Sequence, residues 1–404
     1  MRVKITKTNL WEVALALKIL HFADLHLDTS FARIGFSSTV ARFYREQLRE
    51  ALKRILKLAQ DEKVDLITCG GDLYEHERYT SDTGKFLQSQ FENIERIPVL
   101  LVPGNHDPYL PDSLYRRLFW PSNVKIVTNA ELMPVWNLGE VTIWAFAHLS
   151  PTQREAPLNE FKLSDDEGNI HLLLMHASDM SSVPPGKPVH CPFKPEEIHR
   201  AGFQFALLGH YHQGRLSSLQ ASSVNVQESI SAPGYGYPGT PEPLGFDETG
   251  HHGVIVLEIG DGKVKAELRP ISQFAFVETE LDISAATSRD DIKSQLQYWA
   301  DEARGNYAFA RAVLKGQLQP EIELDLTVLR EAIGSYFRYF DLQNRTYPAY
   351  DFSELAEEKT VRGAFVREML NRIKLATGEE KETLRSALTL GLQAFEKREI
   401  LEQV

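Results

Sequence analysis

The sequence predicts an α/β fold built on two facing sheets, and three observations lead there. Short apolar runs alternate with amphipathic helical stretches over residues 18–102. A second set of apolar runs appears between residues 141 and 208. Five polar motifs each stand directly after one of these runs: Asp24-Leu25-His26, Gly71-Asp72, Gly104-Asn105-His106-Asp107, His176 and Gly209-His210-Tyr211-His212.

The elements follow in order. Lys18–Ala23 reads as a strand ending at Asp24. From Arg42 to about Glu62, Phe43, Leu48, Ala51, Leu52, Ile55, Leu56 and Ala59 share one face of a helix. Val64–Cys69 reads as a buried strand, a helix runs from about Asp82 to Asn93, and Val99–Val102 is a third strand. Strand, helix, strand, helix, strand predicts right-handed parallel crossovers. Ligand sites in such sheets lie beyond the carboxyl ends of the strands. Val141–Ala147, Ile170–Met175 and Phe205–Leu208 supply a second sheet, which would bring His176, His210 and His212 opposite the earlier motifs. The Pro- and Gly-rich stretch from Ala232 to Gly253 reads as a long loop before the strand Val254–Ile259.

After Pro270 the character changes. Phe276–Ile283 and Tyr307–Leu314 read as strands, Asp290–Ala303 and Leu326–Phe337 as helices, together a small α/β domain. From Ser353 two amphipathic helices follow, split at Thr377-Gly378. One presents Leu355, Phe365, Val366, Met369, Leu370 and Ile373; the other presents Leu384, Leu388, Leu392, Phe395 and Ile400. The expected domains are therefore 18–270, 271–352 and 353–404.

Bulk properties narrow the function. A net charge of -12 argues against wholesale coating of nucleic acid. It leaves room for a local basic groove, for which Arg33, Arg42, Arg45 and Arg78 lie close in sequence to the motif loops. Two cysteines, Cys69 and Cys191, are too few for a disulfide framework and point to a reducing cytoplasm. No apolar stretch is long enough to span a bilayer. Residues 1–17 read as an extension rather than a secretory signal, because Glu12 and Lys18 interrupt or end the apolar run.

The motifs offer two Asp, one Asn and four His, about the donor number that two neighbouring divalent ions need. Asp72 is the natural bridge, since its two oxygens can each face one ion. Asp24, His26 and His212 would complete one ion's shell, and Asn105, His176 and His210 the other's. Alternation along a strand-like segment would put His210 and His212 on the same side, one reaching each ion. Water bridging the ions would lose a proton near neutral pH and attack phosphorus in line. His106, directly after a ligand, is placed to protonate or stabilise the leaving oxygen, and Asp107 to orient the loop. His21 and His171 read as packed strand residues, His148, His190 and His199 as structural or solvated, and His251 and His252 as a solvated pair. The leading function is a phosphodiesterase acting on DNA, the substrate implied by the family resemblance set out below. The alternatives are a small-molecule phosphodiesterase and a metal-filled scaffold for a partner protein. The intact ligand set with His106 argues against a pure scaffold, and the 130 or so residues after the motifs favour a macromolecular task.

The motifs resemble those of the calcineurin-like metallophosphoesterases over residues 18 to about 270. The wording is narrower still. Leu20-His21-Phe22-Ala23-Asp24-Leu25-His26-Leu27-Asp28, Gly71-Asp72-Leu73-Tyr74 and Pro98-Val99-Leu100-Leu101-Val102-Pro103-Gly104-Asn105-His106-Asp107 resemble the SbcD and YhaO-type DNA exonuclease subunit family. Tyr237-Pro238-Gly239-Thr240-Pro241-Glu242-Pro243 resembles a loop of the same group. The resemblance implies a two-sheet sandwich flanked by helices, followed by a small capping domain and C-terminal helices. It implies a manganese-dependent DNA exonuclease and endonuclease, a homodimer, and docking of the C-terminal helical segment on an SbcC-like coiled-coil ATPase. One position departs from the pattern. Many relatives carry His or Asp three residues after the bridging aspartate, and Glu75 stands there with His76 next.

Overall fold

The computed structural model describes residues 17–164, 168–184, 186, 188–218, 229–231, 233–303, 305–319 and 322–395. The expectations for residues 1–16 and for Ile400 lie outside them. The chain divides into two compact units, the first ending at Ala275 and the second beginning at Phe276.

The first unit opens with β1 (Leu17–Phe22), α1 (Ser38–Asp61), β2 (Leu66–Cys69), α2 (Ser81–Glu92), β3 (Val99–Leu101), the one-turn α3 (Leu114–Arg117) and β4 (Val124–Ile126). It continues with β5 (Met133–Leu138), β6 (Val141–Ala145), β7 (Ile170–His176), α4 (Pro195–Ala201), β8 (Phe205–Gly209) and β9 (Arg215–Ser218). β10 (Ser229–Ser231), β11 (Gly234–Tyr237), β12 (Gly253–Gly260) and β13 (Lys263–Pro270) complete it. Helix starts follow local chemistry. The Ser37 side chain accepts from Val40 N at the head of α1, and Thr80 and Thr83 form a reciprocal capping box at the head of α2. α1 then buries Tyr44, Leu48, Leu52, Ile55 and Leu56 on one face.

The strands form two sheets. One has the order β10-β13-β12-β1-β2-β3-β4, the other β5-β6-β7-β8-β11-β9. β1 to β4 are parallel, as are β6, β7, β8 and β11, while β12, β13, β5 and β9 pair antiparallel. One core cluster draws Ile19, Leu66 and Leu100 from the first sheet together with Ile143, Leu172, Leu174 and Leu207 from the second. The sheets therefore face each other. The intervening residues Leu173, Met175 and Leu208 point to the opposite face of the second sheet and pack with Ile198 of α4, as the two-residue period of a strand requires. The parallel strands β1, β2, β3, β7 and β8 all end at the motifs.

The second unit holds β14 (Ala275–Asp282), α5 (Arg289–Ala303), β15 (Gly305–Leu318), α6 (Leu326–Gly334) and β16 (Phe337–Pro348), with strand order β14-β15-β16. Ile292, Leu296, Leu314, Leu329, Ile333 and Leu342 form its core. Then come α7 (Phe352–Glu357), α8 (Val361–Leu375) and α9 (Gly378–Phe395), which share a separate cluster of Val366, Met369, Leu388 and Leu392. No described helix is long and apolar enough to cross a membrane.

Four sequence expectations about elements change. The first helix expected from Ser353 is two, because the chain turns extended at Glu358 and restarts at the Thr360 cap, so that Leu355 lies on α7 and Phe365 to Ile373 on α8. The stretch after Ala232 is not all loop, because β11 lies in it and pairs with both β8 and β9. The helix expected over Leu326–Phe337 stops at Gly334, and Phe337 opens β16. The strand expected to carry His210 and His212 in alternation stops at Gly209. His210 then takes a left-handed φ of 108°, so the two histidines are placed by loop geometry and not by strand period.

Candidate metal centre

The motif loops are strained and tied to one another. Asp24, His26 and Asp72 take left-handed φ values of 54°, 49° and 55°, which cost non-glycine residues energy and persist only where neighbours fix them. The neighbours are visible. Asp24 N donates to Gly71 O and His26 N to Asp72 O, each at 3.0 Å, which zips the first two loops together. Asp107 accepts from Asp72 N (3.0 Å), Leu73 N (2.6 Å), Gly104 N (2.6 Å) and the Tyr115 hydroxyl (2.7 Å), binding the second loop to the third. His210 N donates to both Asp24 oxygens at 3.0 Å and joins the second sheet to the first. Gly71, at φ 101°, leaves the space His176 uses: a Cβ there would lie 2.6 Å from His176 Nδ1.

These ties bring six of the seven expected ligands, and His106, within a few ångströms. Donor atoms of Asp24, His26 and His212 converge, as do those of Asp24, Asp72 and His176, and those of His26, Glu75 and His106. Asp72 Oδ2 lies 3.7 Å from His26 Nε2 and 3.2 Å from His176 Nε2, between the two groups. Asn105 Oδ1 is 2.9 Å from His176 Nε2. His210 stands apart from the three donor groups. Its ring centre is 5.1 Å from that of His176, and its Nε2 donates to Pro188 O at 3.2 Å, which leaves Nδ1 as the ring's open donor atom.

The donor set fits divalent cations. His26 Nδ1 faces Glu75 Oε1 at 2.8 Å and His212 Nδ1 faces Glu248 Oε1 at 2.5 Å, so each Nδ1 carries the proton its carboxylate accepts. In the neutral rings both Nε2 atoms are then acceptors, and they face each other at 3.2 Å. A cation between them satisfies both lone pairs, and imidazole with carboxylate oxygen suits manganese, zinc or iron.

Without an ion, these groups hold one another's charge. Burial acts to raise the Asp72 carboxyl, yet the charge and hydrogen bond of His176, joined by the charges of His106 and His26, hold Asp72 well below the usual range. Burial acts to lower His176, but the charge and hydrogen bond of Asp72, with the Asp24 charge and the Gly70 carbonyl, carry it to about 9. Burial also opposes His106, and its hydrogen bond to Glu75, with the Asp72 charge, raises it to about 9. His210 is pushed well below its ordinary value by burial and then by His176, so its ring is a neutral donor.

The remaining histidines divide. His21 is a packed strand residue that bonds Thr68 Oγ1 and Leu208 O. His148 is fully buried behind His176, whose carbonyl it meets at 2.8 Å. His252 is buried and bonded to Thr240 and Glu248, which corrects the expectation of a solvated pair. His76 faces Asp112 at 3.4 Å. Sequence reading did not include Glu248, because a lone glutamate in a polar loop carries no pattern; only its closeness to His212 reveals it.

Comparison with known proteins points to one family. The family model for calcineurin-like phosphoesterases matches residues 17–214. The chain is 24% identical over 309 residues to the uncharacterized metallophosphoesterase YhaO of Bacillus subtilis, a match covering 74% of this chain and 72% of that protein. It is 22% identical over 335 residues to the DNA double-strand break repair protein Mre11 of Methanopyrus kandleri, covering 76% of this chain and 65% of that one, just under two thirds of its length. Among solved structures, that of TT1561 from Thermus thermophilus matches at 16% identity and a TM-score of 0.36, covering 63% of this chain and 100% of the other. Two facing sheets, donor loops at the ends of their parallel strands and the family match together make residues 17–214 a calcineurin-like metallophosphoesterase domain.

Proposed function

We propose that this chain is a two-metal phosphodiesterase that cuts DNA, an SbcD-like nuclease using manganese. Asp24, His26, Asp72 and His212 hold one ion, and Asp72, Asn105, His176 and His210 hold the other. When bound, the ions activate water and neutralise the phosphoryl oxygens. The chain's own groups do the rest. Asp72 spans both positions with one carboxylate. Glu75 grips His106 at Nδ1, 3.0 Å away, which leaves Nε2 to hand its proton to the leaving oxygen. Asp107 keeps the second and third loops in register while this happens.

The observation that carries the phosphodiesterase reading is the pair of facing Nε2 atoms beside a shared Asp72 oxygen. DNA as substrate rests on two further supports. The His106 side chain is 46% exposed while Asp24, His26, Asp72, His176 and His210 behind it are buried, so a bulky strand can reach it without entering a closed cavity. The matches to both relatives cover more residues than the first unit contains, so the likeness extends past the phosphoesterase domain. One of those relatives is named for DNA double-strand break repair. Residues 271–352 as a capping domain and 353–404 as a docking segment for an SbcC-like ATPase, together with a homodimer, belong to the same proposal. Val361 and Leu375 at the two ends of α8, 76% and 85% exposed, support the docking role. Both cysteines are free and buried, which supports a reducing cytoplasm.

The test is degradation of end-labelled linear double- and single-stranded DNA with manganese, magnesium or EDTA, with bis-p-nitrophenyl phosphate in parallel. Manganese-dependent DNA loss that disappears in His106→Ala supports a nuclease. Cleavage of the small diester with DNA intact, even beside a candidate ATPase, assigns the chain to a small phosphodiester instead.

A further inference from the structure

We infer that the two metal positions are unequal, and that Glu248 and Glu75 make the position of Asp24, His26, Asp72 and His212 the one filled first. The inference rests on the two-metal reading above. It starts from what stands behind each histidine. On this position both rings are backed by carboxylates, His26 Nδ1 by Glu75 at 2.8 Å and His212 Nδ1 by Glu248 at 2.5 Å. On the other, both rings are backed by neutral carbonyls, His176 Nδ1 by Gly70 O at 2.9 Å and His210 Nε2 by Pro188 O at 3.2 Å. A carboxylate behind an imidazole makes the ring a stronger donor and adds negative charge near the ion, whereas a carbonyl mainly orients the ring.

The ligands themselves tilt the same way. The first position has Asp24 in addition to the shared Asp72; the second has the uncharged Asn105 in its place. Glu248 is also held for the purpose. Its second oxygen accepts from Leu244 N at 2.7 Å and Thr240 Oγ1 at 3.2 Å, and its carbonyl accepts from His252 Nε2 at 3.2 Å. The Pro- and Gly-rich segment around Thr240 thus has a task, which is to aim one carboxylate at His212. Glu75 differs, because its other oxygen engages His106 at 3.0 Å. Its loss disturbs the leaving-group histidine as well as the ion, while loss of the Glu248 carboxylate leaves His106 untouched and acts on the ion and on the Thr240–Leu244 loop.

The experiment is calorimetric titration of the EDTA-stripped full chain with manganese chloride, comparing wild type, Glu248→Gln, Glu75→Gln and Asn105→Ala. The wild type is expected to bind two ions in separable steps. Glu248→Gln and Glu75→Gln weaken the tighter step about 10- to 100-fold, and Asn105→Ala weakens only the second. Glu248→Asp recovers part of the tight step, and circular dichroism melts identify any variant that has lost its fold. Because Glu75 and Glu248 sit on different loops, either one alone carries the test. Two equal steps in the wild type overturn the inference, as does a tight step unchanged in both glutamine variants. Fewer than two ions bound by the wild type overturns the two-metal reading beneath it.

Discussion

Asp107 sets much of the site's geometry without facing the ions. Its two oxygens take four donors from three segments, so an amide in its place points an N–H at another N–H. Asp107→Asn is expected to cost about 1–3 kcal/mol of stability, the desolvation of buried donors left unpaired, and urea unfolding measures it. His106 is the opposite case, an exposed group for which we propose a chemical role. His106→Ala is expected to lower diester hydrolysis about 100- to 10,000-fold while manganese still binds with wild-type stoichiometry. Loss of metal along with activity in that variant contradicts the assignment. At this scale, most of the site was legible in the sequence: each ligand-type residue followed an apolar run, and the structure gathers Asp24, His26, Asp72, Asn105, His176 and His212. What could not be read was the layer behind them. Glu75 was visible only as a departure from a pattern and Glu248 not at all, because a contact across 36 positions leaves no local mark.

At the scale of elements, the parallel strands were legible wherever a mostly apolar run is buried along its whole length, as in β2, β3, β7 and β8. β11 was hidden because its Gly-Tyr-Gly-Tyr run looks like a turn. The glycine at 236 is there for packing, since a Cβ on it would come within 2.5 Å of Leu216 and 2.8 Å of Ile255. β16 was hidden for another reason. Arg338, Asp341, Asn344 and Arg345 make it polar, a composition open to an edge strand with one wet face. Within β1, His21 yields a pH prediction. Burial pushes its pKa down to about 4, below the ordinary 6.5, so between these values the unfolded chain binds the proton and the folded chain does not. Its contribution to stability is fully present above pH 6.5 and is lost as pH falls toward 4, with a slope of at most about 1.4 kcal/mol per pH unit. Denaturation of metal-free protein at pH 7 and pH 5 should show the loss, and His21→Gln should reduce it. An unchanged slope in the variant contradicts this account.

For the whole molecule, the two units carry separate cores and, among the described residues, only the first carries the clusters of His, Asp and Glu that could hold a metal ion. Calorimetric unfolding is expected to resolve two transitions. A ligand that binds only the folded state raises only the transition of the unit that binds it, so EDTA should lower one melting temperature and leave the other in place. A single transition, or an equal shift of both, contradicts this independence. Composition had marked the change in character after Pro270, but it could not locate the cores themselves, which depend on contacts between distant strands.

The central claim is that Asp24, His26, Asp72, Asn105, His176, His210 and His212 hold two ions that act together on a phosphodiester. Its most direct test is hydrolysis of bis-p-nitrophenyl phosphate by metal-stripped chain reconstituted with zero, one and two equivalents of manganese. The account predicts almost no turnover through the first equivalent and a steep rise with the second. Full activity at one equivalent, or activity that persists in EDTA, would contradict it.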